Sequence, residues 1–405
     1  MTDDVTKHEA ATRREYVKYG GAVVGGGLLS GCTGNSGSDS TPAETSADES
    51  TATETATQED ESYSVTMSPV STVEFEEPPE TVFTRLTHLA GIAFALGRGD
   101  GVNAMHAPDY YDGLWNQFTE RLPGVSLDWS GLYSSWNPDK EKLYELDSDV
   151  HLADPAWVTQ HENWDRDDID EIVHNVSPWF GNSLSDRHQE PPADWADGYE
   201  YYTLWEQFQK VAMAFREKPR YEALTEIRTD VLDRIEADLP PADERPTVAM
   251  AGLSDVESPY VYMTDRPGFL TAHVRPLAAV DAFGGEVSSG DQVDMEAMLE
   301  ADPEVILALG GLSPGTDMAG TRTELEEHEI GQEITAVKEG RIHPQGARYQ
   351  GPILNLFQLE MTAKQLYPDQ FGRWPTYKEG PYPGIPAEQQ LFDRQRVADI
   401  IEGEF

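Results

Sequence analysis

Residues 203–239 carry helical periodicity with no strand signal, and on each side of them short β-type runs alternate with amphipathic stretches. Leu204, Phe208, Val211 and Phe215 share one helical face, and after Pro219 so do Leu224, Ile227, Val231, Ile235 and Leu239. Proline suits a first helical turn, where no N–H is needed, so Pro219 predicts a second helix over about 220–238, stopped by Pro240-Pro241. Upstream, 81–86 reads as a strand, 88–96 as a helix closed by Gly97, 139–146 as an amphipathic helix and 149–152 as a short strand. Downstream, 247–251 and 305–309 read as buried strands, the latter preceded by a helix over 295–300 and followed by Gly310-Gly311. Strands alternating with helices imply a mainly parallel sheet in each half. An α/β chain of two lobes held apart by a stiff helix is the expected architecture.

The N-terminus predicts export. Thr12-Arg13-Arg14-Glu15-Tyr16-Val17-Lys18 matches the twin-arginine pattern and precedes an apolar run over 19–29. That run is about 11 residues, whereas a membrane span needs roughly 20. Leu29-Ser30-Gly31-Cys32 reads as a lipobox, and Cys32, the single cysteine, is the expected lipid attachment. Residues 33–62 hold Thr, Ser, Ala, Gly, Asp and Glu with almost no bulky apolar side chain, a composition that does not order itself. As a coil of about 30 residues it reaches about 30 Å, a tether between lipid and body. The expected division is a signal peptide (1–31), tether (32–62), N-terminal lobe (63–202), connecting helices (203–240), C-terminal lobe (241–371) and a tail with a terminal helix (372–405).

The formal net charge is −45, from 74 acidic and 29 basic residues. Repulsion on that scale opposes compaction in dilute buffer and is screened at molar salt, where the Debye length is about 3 Å. This dispersed acidity resembles the proteins of salt-loving archaea. No basic stripe exists to neutralise phosphates, which argues against nucleic acid as a partner. One cysteine excludes an internal disulfide.

The order of parts resembles the substrate-binding lipoproteins of ABC importers for ferric siderophores and cobalamin, in which two lobes are joined by a rigid helix. Pro78-Pro79-Glu80-Thr81-Val82 leads into the first strand, and 141–152 resembles the family segment E-x-L-x-x-L-x-x-D-x-V. Residues 295–306 repeat it, and 336–342 and 363–368 are similar to the family's C-terminal lobe. The resemblance spans about 75–371, while 153–202 departs from the pattern. It implies two Rossmann-like lobes with the ligand cleft between them, at the carboxyl ends of the strands. It also implies a receptor, not an enzyme, that captures chelated iron outside the cell and hands it to a membrane permease with its ATPase. A ferric siderophore is the first expectation, with cobalamin or haem next. No cofactor is expected.

Eight of the nine tryptophans lie between Trp115 and Trp205. Most buried tryptophans are simply core; the best exception is Trp136, in the loop 133–137, where Tyr133 and Trp136 are placed to stack on a planar chelate. Trp157 and Trp179 follow as weaker candidates. From the second lobe, Arg266, Phe269, Arg275, Arg348 and Tyr349 are candidate ligand residues, since a guanidinium fork suits the oxygens around ferric iron. The plainer reading pairs each arginine with surface acid. Arg85, on the first strand, reads as structural. The resemblance assigns permease docking to one acidic residue per lobe, here Glu141 and Glu296.

A bare-metal receptor would need several histidines and a carboxylate at close quarters. His88, His151, His273 and His343 are the available set, without diagnostic spacing. Tyr201 and Tyr202 as phenolate ligands are weaker, because neighbouring residues point apart. No G-x-S-x-G, H-E-x-x-H, P-loop or dinucleotide fingerprint supports a hydrolase or other enzyme. Asn175-Val176-Ser177 forms a glycosylation sequon, followed by Pro178.

Overall fold

The computed structural model describes residues 62–285 and 287–405. The expected signal peptide, Cys32 and all but the last residue of the tether lie outside them.

Two sheets organise the two halves. The first is fully parallel, in the order Tyr133–Ser134, Val102–Met105, Val82–Thr84, Val150–Leu152. In the second, Thr247–Gly252 lies between the parallel strand Val305–Ala308, itself followed by Ile342–Pro344, and the antiparallel Tyr260–Tyr262, which carries Asp291–Gln292. Val280–Asp281 also pairs with Thr247–Gly252. The second sheet is therefore mixed. Ahead of the first sheet, Tyr63–Met67 and Ser71–Phe75 form an antiparallel hairpin with Val65, Met67, Val73 and Phe75 turned inward.

Each half repeats one unit, built by the same side-chain chemistry. In the first, Asp139 caps the helix Lys140–Leu146 by accepting from the Glu141 N–H; Asp147 then takes a left-handed turn into Val150–Leu152. In the second, Asp294 caps Met295–Ala301, and left-handed Asp302 leads into Val305–Ala308. Short polar side chains tolerate positive φ better than most, which suits aspartate to both turns. The strands then start from matching pins. Asp149 accepts from the Glu80 and Thr81 N–H groups at 2.9 and 2.7 Å, and Glu304 accepts from the Thr247 N–H at 2.8 Å.

The connection consists of Leu204–Ala214, with a Thr203/Glu206 capping box, and the 21-residue helix Lys218–Asp238. A third element also ties the halves. Gly351–Leu366 is buried along its whole length and lies against Thr87–Ala95. A Cβ on Gly351 would stand 3.1 Å from Gly91 Cα, and one on Gly91 would strike the Trp115 ring at 2.1 Å. Buried Glu360 on that helix fastens the tail, accepting from Tyr382 Oη (2.7 Å), Leu391 N–H (2.6 Å) and Arg394. The terminal helix runs Arg394–Glu402 behind an Asp393 cap.

Candidate functional site

The carboxyl ends of the first sheet's strands deliver Arg85, His106 and Trp136 to the junction between the halves. The corresponding ends of the second deliver the 309–314 and 345–350 loops. Contacts cross the junction directly. Tyr110 Oη and Ser313 Oγ are 2.7 Å apart, Thr87 Oγ1 donates to the Tyr349 carbonyl at 2.9 Å, and the His88 ring lies 4.5 Å from Phe269.

On the first-lobe side, Arg85 is fully buried with Trp157 stacked on it (Cζ 3.1 Å from the ring centroid) and Trp136 at 4.8 Å. Trp136 and Trp157 meet edge-to-face at 5.2 Å, and His106 lies 4.4 Å from Trp136. One Arg85 nitrogen, Nη2, donates to the Trp136 carbonyl and to His161 Nε2. Its Nε and Nη1 have no hydrogen-bond partner among the described residues. Burial, and secondarily the Arg85 charge, push His161 down to about 4, so the imidazole is neutral at neutral pH and accepts from the guanidinium.

The tryptophans sort cleanly by burial. Trp115, Trp129, Trp164, Trp179, Trp195, Trp205 and Trp374 are buried, and only Trp136 and Trp157 are partly open. Trp179 is corrected as a ligand candidate, because it is enclosed between His151 (4.8 Å), Trp164 and Phe83 within the first lobe. Tyr133 is half-buried on that lobe, with Lys142 5.6 Å from its ring.

On the second-lobe side, Arg348 pairs with buried Asp186 at 2.7 Å and lies 4.8 Å from the Tyr349 ring. Tyr349 is buried beside it. Arg275 braces its own loop, donating to the Arg266 carbonyl (2.9 Å) and Thr271 Oγ1 (2.7 Å). Arg266 is exposed, with Asp265 at 3.6 Å. Phe269 is fully buried; its N–H donates to the Ser185 carbonyl at 3.3 Å. Of the three second-lobe arginines weighed, Arg266 lies beside an exposed acid, Arg348 pairs with a buried one, and Arg275 has no acidic partner among the described residues.

Ser185 and Asp186 belong to the segment 153–202, which the sequence left without a role. It crosses to the second lobe. Besides the Asp186–Arg348 pair, the Asp186 carbonyl accepts from the Leu270 N–H at 3.1 Å, and Arg187 Nη1 donates to the Ser289 carbonyl at 2.6 Å. The segment is held in the first lobe by buried Asp154, which accepts from Ser183, Leu184 and Tyr199.

Glu141 and Glu296 are exposed in the first turns of the two capped helices, at matching places in the repeated unit. The histidine set does not converge. His151 bonds Ser177, His273 bonds Gln350 and His88 packs at a tilt against Phe269; among the described residues no group of three or more His, Cys, Asp or Glu is placed to hold a metal ion. Tyr201 donates to the Gln189 carbonyl and Tyr202 to Glu200, in separate surroundings. Asn175 ends a helix exposed, its side-chain amide donating to the Glu171 carbonyl at 2.8 Å. Among the described residues no helix is long and apolar enough to cross a membrane.

The sequence reading took Arg85 as structural and did not single out His106 or His161, which the structure brings into the candidate site. Only Arg85 had a legible signal, as a basic residue ending the first strand of a strongly acidic chain.

Comparison with known proteins places this geometry. The profile described as periplasmic binding protein matches residues 90–347. No curated protein sequence matches significantly. Among solved structures, a periplasmic binding protein from Veillonella parvula is similar over 76% of this chain and 97% of its own, with 15% identity and a TM-score of 0.55. A second solute-binding protein of that organism is 12% identical, with 84% and 100% coverage and a TM-score of 0.54. The iron-uptake ABC transporter substrate-binding protein PiuA of Streptococcus pneumoniae is 15% identical, with 76% and 99% coverage and a TM-score of 0.53. At these identities the likeness concerns the fold.

Proposed function

The chain belongs to the periplasmic binding protein family, as a substrate-binding protein of the ABC-importer type, and from that premise we propose that it captures chelated iron, a ferric siderophore, outside the cell and delivers it to its permease. Proteins of this family bind small molecules, work with permease and ATPase subunits, and are not enzymes. The carrying observation is the convergence of Trp136 and Trp157 with Arg85 at the first sheet's carboxyl ends, opposite Arg348 and Tyr349. Flat aromatic faces suit the ligand shell of a chelate, and guanidinium groups suit its oxygens. In this reading Glu141 and Glu296 dock on the permease, one per lobe, and lipid on Cys32 holds the twin-arginine-exported protein at the outer face of the membrane.

Intrinsic fluorescence titrated with ferric siderophores in multimolar salt tests the reading. Trp136 and Trp157 border the site and are the tryptophans whose emission a ferric chelate bound there is expected to quench most strongly. Saturable quenching that weakens more than tenfold in Trp136→Ala is expected. A response to cobalamin or haem with none to any ferric chelate overturns the iron assignment, and wild-type affinity in the variant discards the placement of the site.

A further inference from the structure

The acidic composition makes Arg85 an anomaly. The chain holds 74 carboxylates, and several buried or half-buried arginines use them: Arg98 and Arg220 pair with Glu217, Arg348 with Asp186, Arg394 with Glu360. Half-buried Arg121, Arg322 and Arg341 bond backbone carbonyls instead, but none of these is fully buried as Arg85 is. Arg85 forms no ion pair among the described residues, although it is the most deeply enclosed of them. Its neighbours are two indole faces, one carbonyl and a neutral imidazole, and two of its nitrogens are unbonded. Burying a cation without a close counter-charge is costly, and the two cation–π contacts offset only part of that cost. Buried Asp154 feels its field but spends its oxygens on Ala156, Ser183, Leu184 and Tyr199.

The covering groups differ from the rest of the core. Trp136, Trp157 and His161 are the partly open side chains of this neighbourhood, so the lid over the guanidinium is also its boundary with solvent. Across the junction Arg187 and Arg275 likewise bond carbonyl and hydroxyl oxygens without a carboxylate. What sets Arg85 apart is full burial together with two donor nitrogens that have no partner among the described residues.

We propose that Arg85 is the anchor for an anionic cargo: a negatively charged oxygen of the chelate accepts from one of the two unbonded donors, Nε or Nη1, with Trp157 and His161 moving aside to admit it. The cargo class is then a ferric complex with net negative charge, of the catecholate or α-hydroxycarboxylate type, in preference to neutral or cationic hydroxamate complexes. This rests on the chelated-iron reading and narrows it. Arg85 is a binding residue, and Trp157 is its cover in the empty form.

Selectivity of the wild-type protein tests this without any variant. Quenching titrations with a ferric tris-catecholate and with a neutral ferric hydroxamate are run at 0.5 and 3 M KCl. At least tenfold preference for the anionic complex is expected, and its persistence at high salt, because a buried contact is screened far less than a surface one. Arg85→Gln, checked for native circular dichroism, is expected to lose most of that preference while hydroxamate affinity changes less than threefold. Equal or tighter binding of the neutral complex, or full selectivity retained in Arg85→Gln, overturns the anchor and leaves the iron reading standing. Binding of neither class overturns both.

Discussion

Arg85 and Arg348 follow strands of the first and second sheets, are both enclosed at the junction, and are treated in opposite ways. Burial opposes the charge of Arg348, yet Tyr349 and the Asp186 carboxylate outweigh it and its pKa is raised. For Arg85 burial dominates, Tyr349 and Asp154 compensate weakly, and its pKa is lowered. The second lobe's cation is neutralised across the junction by Asp186, on the first lobe's crossing segment. The other cation has been left for something outside the chain. Supply does not explain the difference, since carboxylates outnumber basic groups heavily. The comparison separates a cation that holds the lobes together from one kept at a cost in stability.

The largest break in that contrast is expected at Asp186→Asn. It strands the Arg348 guanidinium and removes a contact between the lobes; losing one partner of a buried pair costs about 3 kcal/mol. Denaturant midpoints at fixed salt measure it, and a loss below about 1 kcal/mol would make the pair incidental. Arg85→Met should move the other way. It replaces an uncompensated cation by an apolar side chain of similar length, and a gain of about 1 kcal/mol in the unliganded protein is expected. Destabilisation by Arg85→Met would show that the indole contacts already satisfy the charge, and the two arginines would then differ in geometry alone.

Much of this framework was legible beforehand because it is local. The face Leu224, Val231, Ile235 reads directly as Lys218–Asp238, and the run at 305–309 reads as the strand Val305–Ala308. The repeated capped helix is legible too, since each Asp cap acts within three residues of itself. The antiparallel hairpin over 63–75 was not anticipated; its short alternating pattern sits beside the low-complexity tether. What the arginines do was illegible for a physical reason. Arg348 and its partner are 162 positions apart, and nothing near either residue announces the meeting. Trp136 and Trp179 look alike in sequence, yet one borders the junction and the other is sealed between His151 and Trp164, because burial depends on which distant segment arrives to cover a ring.

Two histidines extend the comparison to its weakest expected effect. His88 in the first half is held down to about 3 by burial, against a smaller upward pull from Gln207, and faces Phe269 and Tyr349. His273 in the second half is likewise near 3 through burial and then the Arg275 charge, with Gln350 on its ring nitrogen. Both are neutral in the folded chain, whereas the unfolded chain protonates them near pH 6.5. The unfolded state therefore binds more protons as pH falls, so stability is full only well above pH 6.5 and declines as pH falls through 6.5 towards about 3. Between pH 8 and 6.5 each contributes a loss of about 0.4 kcal/mol. His88→Phe and His273→Phe should each remove that increment from the pH dependence of the denaturant midpoint. Should His88→Phe leave the slope unchanged while His273→Phe reduces it, the first-half histidine is reached by water at the junction, and the first lobe's side of the site is more open than the enclosed Arg85 implies.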